Sequence, residues 1–220
     1  IGTREEGYLC ANDASFQPFL RYLPATAKKG GKMPMIVYLH GYSPSLNIIN
    51  WSGFPSNLLE FARAENFCLV APFARGNTDF QGIGEQDVLN AMAEMIKRYP
   101  IDEERIILAG ISMGGMGVWT LGAHHPDLFA GLLILAGRGD YYYWQKVKRD
   151  NLPAYKQRLI DTEFAMSLLP NLRNIPIFCA HGENDSLVPV GEARHIVAAV
   201  RKVNPNVTYI EVPEADHWIF

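Results

Sequence analysis

Short apolar runs alternate along the chain with segments whose apolar residues recur at helical spacing. The runs predict strands at 19–23, 35–40, 67–72, 106–111, 131–136, 175–180 and 208–212. The middle runs are continuous and rich in Ile, Val and Leu, as expected for strands buried on both faces of a parallel sheet. The pattern therefore predicts an α/β protein whose strands share one sheet.

Between these strands, two segments carry clear helical signals. In 85–99 the apolar residues fall on one face, and Pro100 follows as a stop. Segment 189–203 begins with Pro189, which suits a first helical turn. Strands that alternate with helices predict an open, mostly parallel sheet of about seven to eight strands with helices on both faces. The sequence KKGGK at 28–32 predicts a hairpin turn between the first two predicted strands.

Segment 138–174 is longer than an ordinary connection between two strands. It contains YYYW at 141–144 and a predicted helix around 159–169. Long connections at the carboxyl edge of a sheet often form part of a binding site. We therefore expect 138–174 to be a lid-like insertion or a wall of the substrate site.

Composition narrows the class of protein. The 220 residues suit one compact domain, 1–220, with a substantial core. Twenty Lys and Arg against 23 Asp and Glu give a net charge of −3, so the balance provides no basic footprint for nucleic acid or an anionic membrane. No apolar run approaches the roughly 18 residues that span a bilayer. Three widely spaced cysteines do not suggest a disulfide framework.

The two ends of the chain lack the usual boundary signals. It starts at Ile1 without Met or a leader pattern. It ends at Phe220, two residues after the His217-Trp218 pair. We expect both ends to be truncated. The sequence predicts neither a localisation from its terminus nor an oligomeric state.

A candidate nucleophile follows the predicted strand 106–111. Residues 110–114 have the pattern G-x-S-x-G, with Ser112 at its centre, and they run into a helical segment. A nucleophile on a tight strand-to-helix turn needs small neighbours because the helix packs close to the strand. The turn also places the Met113 N–H at a helix N-terminus, aimed at a developing oxyanion. The alternative is a glycine-rich helix start with a capping serine.

The loop after strand 35–40 begins with His40-Gly41-Tyr42. Gly41 allows a sharp turn, and the Tyr42 N–H is the predicted second oxyanion donor. His40 precedes the nucleophile in the chain, which is the wrong order for its base. We therefore interpret His40 as a structural residue.

The later loops contain a candidate acid and a candidate base. Asp185 follows strand 175–180 and is the preferred acid, with Glu183 and Asp140 as rivals. His217 follows strand 208–212 and is the natural base for Ser112. We expect Ser112 Oγ near His217 Nε2, and His217 Nδ1 near an Asp185 oxygen.

The sequence resembles the α/β-hydrolase superfamily, and within it the small prolyl-oligopeptidase-like and feruloyl-esterase-like serine hydrolases of bacteria. The matching stretches span roughly residues 19 to 218 and are YLHGYS, RGNTDFQGIGEQDV, YPIDEERIILAGISMGGMGVWTLGAHHPDLFAG, HGENDSLVP and ADHW. The resemblance implies Ser112 as nucleophile, Asp185 as acid and His217 as base, with the Tyr42 and Met113 amides as the oxyanion hole. It also favours a secreted or periplasmic protein. Relatives usually continue into a final helix, whereas only three residues follow His217 here.

Three functions are compatible with these residues. The first is hydrolysis of carboxylic esters, with acetyl or feruloyl groups on plant polysaccharide as examples of a small-molecule or oligosaccharide substrate. The second is a serine peptidase acting on short peptides. The third is a non-catalytic module that binds carbohydrate or protein, which an intact Ser-acid-His set disfavours.

Substrate contacts are predicted from aromatic and charged side chains near the same sheet edge. The candidates are Tyr141, Trp144, Trp218 and Arg75, and for Arg75 a loop-stabilising role is equally compatible. No cofactor is expected. No metal is expected either, because the adjacent His124 and His125 would face different directions on a helix.

Overall fold

The computed structural model describes residues 1–29, 31–51 and 53–219. The eight strands in this part of the chain are β1 (Gly2–Leu9), β2 (Phe16–Leu23), β3 (Met33–Leu39), β4 (Cys68–Pro72), β5 (Ile101–Ile111), β6 (Gly131–Leu135), β7 (Ile177–Gly182) and β8 (Val207–Val212). The α-helices are α1 (Ser56–Glu65), α2 (Ile83–Arg98), α3 (Met113–His124), α4 (Tyr141–Gln145), α5 (Ala154–Glu163) and α6 (Gly191–Val200). None of the described helices is both long and apolar enough to cross a membrane.

The eight strands form one sheet in the order β1-β2-β4-β3-β5-β6-β7-β8. Strands β3 to β8 pair in parallel, whereas β1 and β2 join the edge in antiparallel fashion. The predicted α/β-hydrolase fold is confirmed. Strand β1 was not predicted because it is polar and largely exposed at the sheet edge, so no apolar run marks it.

The predicted hairpin between the first two predicted strands is wrong. Strand β4 lies between β2 and β3, with Leu20 opposite Ala71 and Ile36 beside Leu69. The connection instead contains a 3-10 helix, Ala25–Lys29. Gly30 of the predicted turn lies outside the described residues. A short polar linker with two glycines is compatible with a crossover as well as with a hairpin, and strand pairing decides between them.

The predicted helix at 159–169 is also wrong, because the chain forms two separate helical segments there. Helix α5 ends before Phe164, whose backbone is extended, and a separate 3-10 helix follows at Ala165–Leu172 with Pro170 inside it. Pro170 limits only the second segment, because it lacks the N–H that would bond to the carbonyl of Met166 in an α-helix. The remaining elements of 138–174 are α4 and a 3-10 turn at Arg149–Asn151. That this segment acts as a lid stays a prediction.

Apolar side chains are buried on both faces of the sheet. On one face α2, α3 and α6 pack around the fully buried Trp119, and on the other face α1 packs with Trp51 and Phe54 over the same strands. Strand β5 contributes Leu108 to the first face and Ile111 to the second, as side-chain alternation in a strand requires. Two covered faces leave the carboxyl ends of the strands as the open edge where a site can form.

Candidate active site

Ser112 occupies the tight turn between β5 and α3. Its backbone has φ 57° and ψ −117°, a conformation that is strained for a residue with a side chain. The turn is held on both sides, since Ser112 N donates to Leu135 O at 2.9 Å and Met116 N donates to Ser112 O at 3.0 Å. The strained geometry keeps Ser112 at the carboxyl edge of the sheet, half-buried at the start of α3.

Glycines allow α3 to begin very close to its neighbouring strands. A Cβ on Gly110 would lie 2.5 Å from Gly114 O, and one on Gly115 would lie 2.8 Å from Leu135 O. A Cβ on Gly114 would overlap the Leu39 carbonyl oxygen. Only glycine fits these positions, so the small residues around Ser112 have the physical role that the sequence pattern predicts.

Replacement of Gly114 with alanine is expected to destabilise the fold by about 3 kcal/mol, because backbone atoms of β3 must move to admit the methyl group. Chemical denaturation measures this loss. Gly31→Ala is the matched control, since nothing lies within 4 Å of a Cβ there, and its effect is expected to stay within about 0.5 kcal/mol. Equal stability of the two variants would contradict the close packing of α3 on β3.

Asp185 and His217 form a buried pair after β7 and β8. His217 Nδ1 lies 2.7 Å from Asp185 Oδ2. The other carboxylate oxygen accepts hydrogen bonds from Leu187 N at 2.9 Å and Val188 N at 2.7 Å. These bonds hold the carboxylate so that His217 Nδ1 carries the proton and Nε2 presents a lone pair.

His181 is a residue whose role the sequence did not reveal. It is fully buried at the end of β7, and its Nε2 lies 2.7 Å from Val188 O and 3.1 Å from Asp185 Oδ2. Because a carbonyl only accepts, Nε2 is the protonated nitrogen. Burial lowers the pKa of His181, which keeps the ring neutral. His181 therefore positions Asp185 without adding charge.

The loops that carry Asp185 and His217 are joined to each other. Asn184 N donates to Ala215 O at 2.9 Å, and Glu183 Oε2 accepts from Glu214 N at 3.2 Å. Asp216 Oδ1 accepts from the Ser186 amide at 2.8 Å and from its hydroxyl at 2.9 Å. The backbone hydrogen bond from Ser186 lowers the pKa of Asp216. The carboxylates of Glu183 and Asp216 thus fasten the two loops.

Asp140, the other rival for the acid, is occupied elsewhere. It accepts hydrogen bonds from Tyr142 N and Tyr143 N at the start of α4, and its second oxygen lies 2.9 Å from His195 Nε2. Of the three candidate acids, Asp185 is the one that contacts His217.

The two predicted oxyanion donors belong to chain segments that pass next to Ser112. Met113 is the first residue of α3, where a helix has no internal partner for its N–H. A Cβ on Gly41 would lie 3.7 Å from Ser112 Cβ, so the chain that leads into Tyr42 passes beside the serine. In the described part of the chain, no hydrogen bond joins Ser112 to His217. Such bonds are often long without substrate and shorten in the reactive complex.

His40 is held between two backbone carbonyls, as its structural interpretation predicts. Its Nδ1 lies 3.0 Å from Gly41 O and its Nε2 lies 3.2 Å from Phe73 O. The ring also contacts the edge of Phe80, with 5.1 Å between the ring centres. These contacts join the loops that follow β3 and β4.

A cavity of about 320 Å³ opens beside this edge. Its lining includes the aromatic residues Tyr38, Tyr42, Trp51 and Trp218, together with Ile111, which precedes Ser112 in the chain. Trp218 is therefore the predicted substrate contact that lines it.

The other predicted substrate contacts have partners away from that cavity. Arg75 Nε lies 2.8 Å from Asp87 and its Nη1 lies 2.7 Å from Asp13, which favours the loop-stabilising role. Tyr141 packs against Phe164, with 5.2 Å between ring centres. Trp144 lies under the Arg138 guanidinium at 4.6 Å. The Tyr141 and Trp144 contacts lie within 138–174 itself, so packing accounts for them.

A second cavity, of about 580 Å³, lies between α4 and α6 and is lined by residues that include Asp140, Tyr143, Glu192 and His195. Glu192 is buried in its wall, and its Oε2 has no hydrogen-bond partner among the described residues. Burial, followed by the nearby charge of Asp140, raises the pKa of Glu192 to about 7.

We expect the stability of Glu192→Gln relative to the wild type to increase as the pH rises from 5 to 8. The unfolded chain releases the Glu192 proton near its ordinary pKa of 4.5, whereas the folded chain keeps it until about 7. Wild-type stability therefore falls across this window, and glutamine escapes the loss. The difference between the two proteins should grow by on the order of 2 kcal/mol, measured by urea denaturation at each pH. A difference that does not change with pH would contradict the buried ionisation.

Comparisons with known proteins agree with this geometry. Residues 73–220 match the model of the prolyl oligopeptidase family. Dipeptidyl-peptidase 5 of Porphyromonas gingivalis is 25% identical over an alignment 230 positions long, which covers 90% of this chain and 32% of that protein. The chain spans 32% or less of the length of the curated relatives that it matches.

Two solved structures share the fold. A thermostable esterase matches with a TM-score of 0.72 and 21% identity, over 96% of this chain and 54% of the esterase. An S-formylglutathione hydrolase from Staphylococcus aureus matches with a TM-score of 0.74 and 15% identity, over 99% of this chain and 92% of the hydrolase. The family match includes Ser112, Asp185 and His217. The chain therefore belongs to the prolyl oligopeptidase family, within the α/β-hydrolase superfamily of serine hydrolases.

Proposed function

We propose that this chain hydrolyses carboxylic esters through an acyl-enzyme formed on Ser112. The observation that carries the proposal is the 2.7 Å hydrogen bond between His217 Nδ1 and Asp185, at the same sheet edge as the strained Ser112 turn. A serine, a histidine and a carboxylate in these roles constitute a nucleophile, its base and the group that orients the base.

In the first half of the reaction, His217 Nε2 takes the proton of the Ser112 hydroxyl while Oγ bonds to the carbonyl carbon. The resulting oxyanion faces the Met113 and Tyr42 N–H groups, and each such donor typically contributes about 3 kcal/mol to transition-state stabilisation. Collapse of the intermediate breaks the bond to the alcohol, which leaves with the proton from His217. Asp185 stabilises the imidazolium that exists between these two proton transfers.

In the second half, water replaces the alcohol. His217 Nε2 accepts a proton from water as its oxygen attacks the acyl carbon, and the second intermediate expels Ser112 Oγ. The proton returns from His217 to the serine, and the carboxylic acid departs. The buried position of Asp185 keeps its charge close to the imidazolium and away from bulk water, which strengthens their attraction.

The aromatic cavity favours acetyl or hydroxycinnamoyl esters as substrates, for example feruloyl esters of plant polysaccharide. Its volume of about 320 Å³ lies at the lower end of the range for small-molecule pockets. Tyr42 and Trp218, whose side chains are both exposed, provide apolar faces on which a flat acyl ring or a sugar stacks.

Hydrolysis of short peptides is the second candidate. The similarity to dipeptidyl-peptidase 5 favours it, since the resemblance covers 90% of this chain. The same three residues serve an amide, but an amine is a poorer leaving group and depends more on protonation by His217.

A substrate panel tests the proposal. Purified protein is assayed with p-nitrophenyl acetate, methyl ferulate, acetylated xylan and dipeptidyl p-nitroanilides, and a fluorophosphonate probe reports whether Ser112 is reactive. We expect covalent labelling and a kcat/KM for the best ester at least about 100-fold above that for any peptide. The reverse ranking would favour the peptidase. If the protein showed neither labelling nor turnover, it would instead be interpreted as a non-catalytic binding module.

A further inference from the structure

Glu85, His124 and His125 form a cluster that the proposed reaction does not use. Glu85 lies in the first turn of α2, and the two histidines lie at the C-terminal end of α3. His124 Nδ1 is 3.0 Å from both Glu85 carboxylate oxygens, and His125 Nε2 is 2.7 Å from Oε1. One potential ligand atom from each residue lies within 4.8 Å of the other two.

The backbone orients His124 toward this cluster. Its Nε2 lies 2.8 Å from the carbonyl oxygen of Thr162, near the end of α5. A carbonyl only accepts, so Nε2 carries a proton. If the His124 ring is neutral, its Nδ1 carries a lone pair that points at the two carboxylate oxygens of Glu85. That arrangement needs a positive charge at its centre, supplied either by a second proton on His124 or by a metal ion.

We propose that Glu85, His124 and His125 bind a divalent transition-metal ion, with Zn²⁺ as the best match. Two imidazole nitrogens and one carboxylate form a ligand set that suits Zn²⁺. A metal-bound histidine commonly donates its other N–H to a backbone carbonyl, and the Thr162 contact provides that partner for His124. The side chains of all three residues remain partly accessible, so an ion can enter and water can complete its coordination.

The spacing of the cluster suits this ion. Zn²⁺ bonds to nitrogen and oxygen are about 2.0–2.1 Å long, which places tetrahedral ligands roughly 3.3 Å apart. The separations from Glu85 to the two histidines are 2.7–3.0 Å, so these two pairs have only to widen by a few tenths of an ångström, and the two histidine nitrogens lie within 4.8 Å of each other.

The argument that adjacent histidines face different directions on a helix fails here, because both rings reach Glu85. That argument assumed that both residues continue the helix. His125 instead has φ −130° and ψ 56°, so the chain leaves α3 at this residue and its ring turns to Glu85. A bound ion would join α2 and α3 at a point that also contacts α5 through Thr162, which gives the site a structural role.

The test is a titration of Zn²⁺ into protein that has been treated with EDTA and dialysed. We expect one Zn²⁺ per chain, with affinity weakened at least about tenfold in Glu85→Gln and in His125→Asn. Co²⁺ provides a second readout, because its visible ligand-field bands should be lost in both variants. The matched control is His195→Asn, which removes a histidine paired with Asp140 at 2.9 Å and should leave Zn²⁺ affinity unchanged.

Circular dichroism establishes that each variant is folded. If Glu85→Gln does not fold, His125→Asn decides, because that side chain is 32% exposed and tolerates replacement better. The proposal is overturned if the wild type binds no stoichiometric Zn²⁺, which would leave an ion-paired cluster only. It is also overturned if neither variant weakens Zn²⁺ binding, or if His195→Asn weakens it as much as they do.

Discussion

Ser112→Ala is expected to lower kcat for a p-nitrophenyl ester by roughly 10⁴–10⁶-fold, because no acyl-enzyme can form without the hydroxyl. Ser112 occupies the turn that begins α3, and the hydroxyl itself makes no hydrogen bond among the described side chains. Alanine retains the Cβ at the same strained φ of 57°. The variant should therefore fold with near wild-type stability while losing activity, and steady-state assays with urea denaturation measure the two quantities separately.

Ser186→Ala is the matched control for this experiment. Ser186 lies in the loop after β7, and its hydroxyl contacts Asp216 at 2.9 Å. Its removal should change kcat less than about threefold, since the Ser186 amide still bonds to Asp216 at 2.8 Å. Ester hydrolysis that persists in Ser112→Ala, or a greater loss in Ser186→Ala, would remove Ser112 from its proposed role.

Asp185→Asn is expected to reduce kcat by about 10³–10⁴-fold near neutral pH. The carboxylate accepts a hydrogen bond from His217 Nδ1 at 2.7 Å and hydrogen bonds from two backbone amides through its other oxygen. Those amides favour an oxygen on their side, so the asparagine NH₂ turns toward His217. His217 must then keep its lone pair on Nδ1 and its proton on Nε2, which makes it unable to deprotonate Ser112. A kcat measurement on one ester, with KM determined in parallel, checks this effect.

The two rival carboxylates provide the controls for Asp185. Glu183→Gln retains an oxygen for the Glu214 amide at 3.2 Å, and we expect less than about a threefold change in kcat. Asp140→Asn perturbs the start of α4 and the contact with His195. We therefore expect it to lower the folding stability while changing kcat little. If either rival variant lost more kcat than Asp185→Asn, that rival carboxylate would be assigned as the acid instead of Asp185.

Most of the central sheet was predictable because its strands are buried on both faces. Apolar runs rich in Ile, Val and Leu mark β3 to β7 directly. Strand β1 escaped prediction because pairing with β2 forms it, and its exposed, polar side chains leave no trace of that pairing. The break at Phe164 was missed because no glycine or proline lies beside it. An apolar stripe continues across the break and masks it.

The candidate site was predictable in its chain order but not in its contacts. Ser112 is recognisable because the glycines around it are required by local backbone geometry. The acid is harder, since Glu183, Asp185 and Asp140 all follow strands that end at one edge, and chain order does not say which carboxylate reaches the histidine. His181 was overlooked because its contacts to Asp185 and Val188 arise only when the loop folds back on β7.

By itself, the amino-acid sequence determined the α/β class, the position of the strained turn at Ser112 and the order of serine, acid and histidine. These follow from periodicity and from backbone requirements that act over a few residues. Tertiary structure alone decided that β4 separates β2 from β3, that Asp185 bonds to His217, and that His125 turns back to Glu85 beside His124. Each of these depends on atoms distant in the chain coming within hydrogen-bonding distance, which no local pattern specifies.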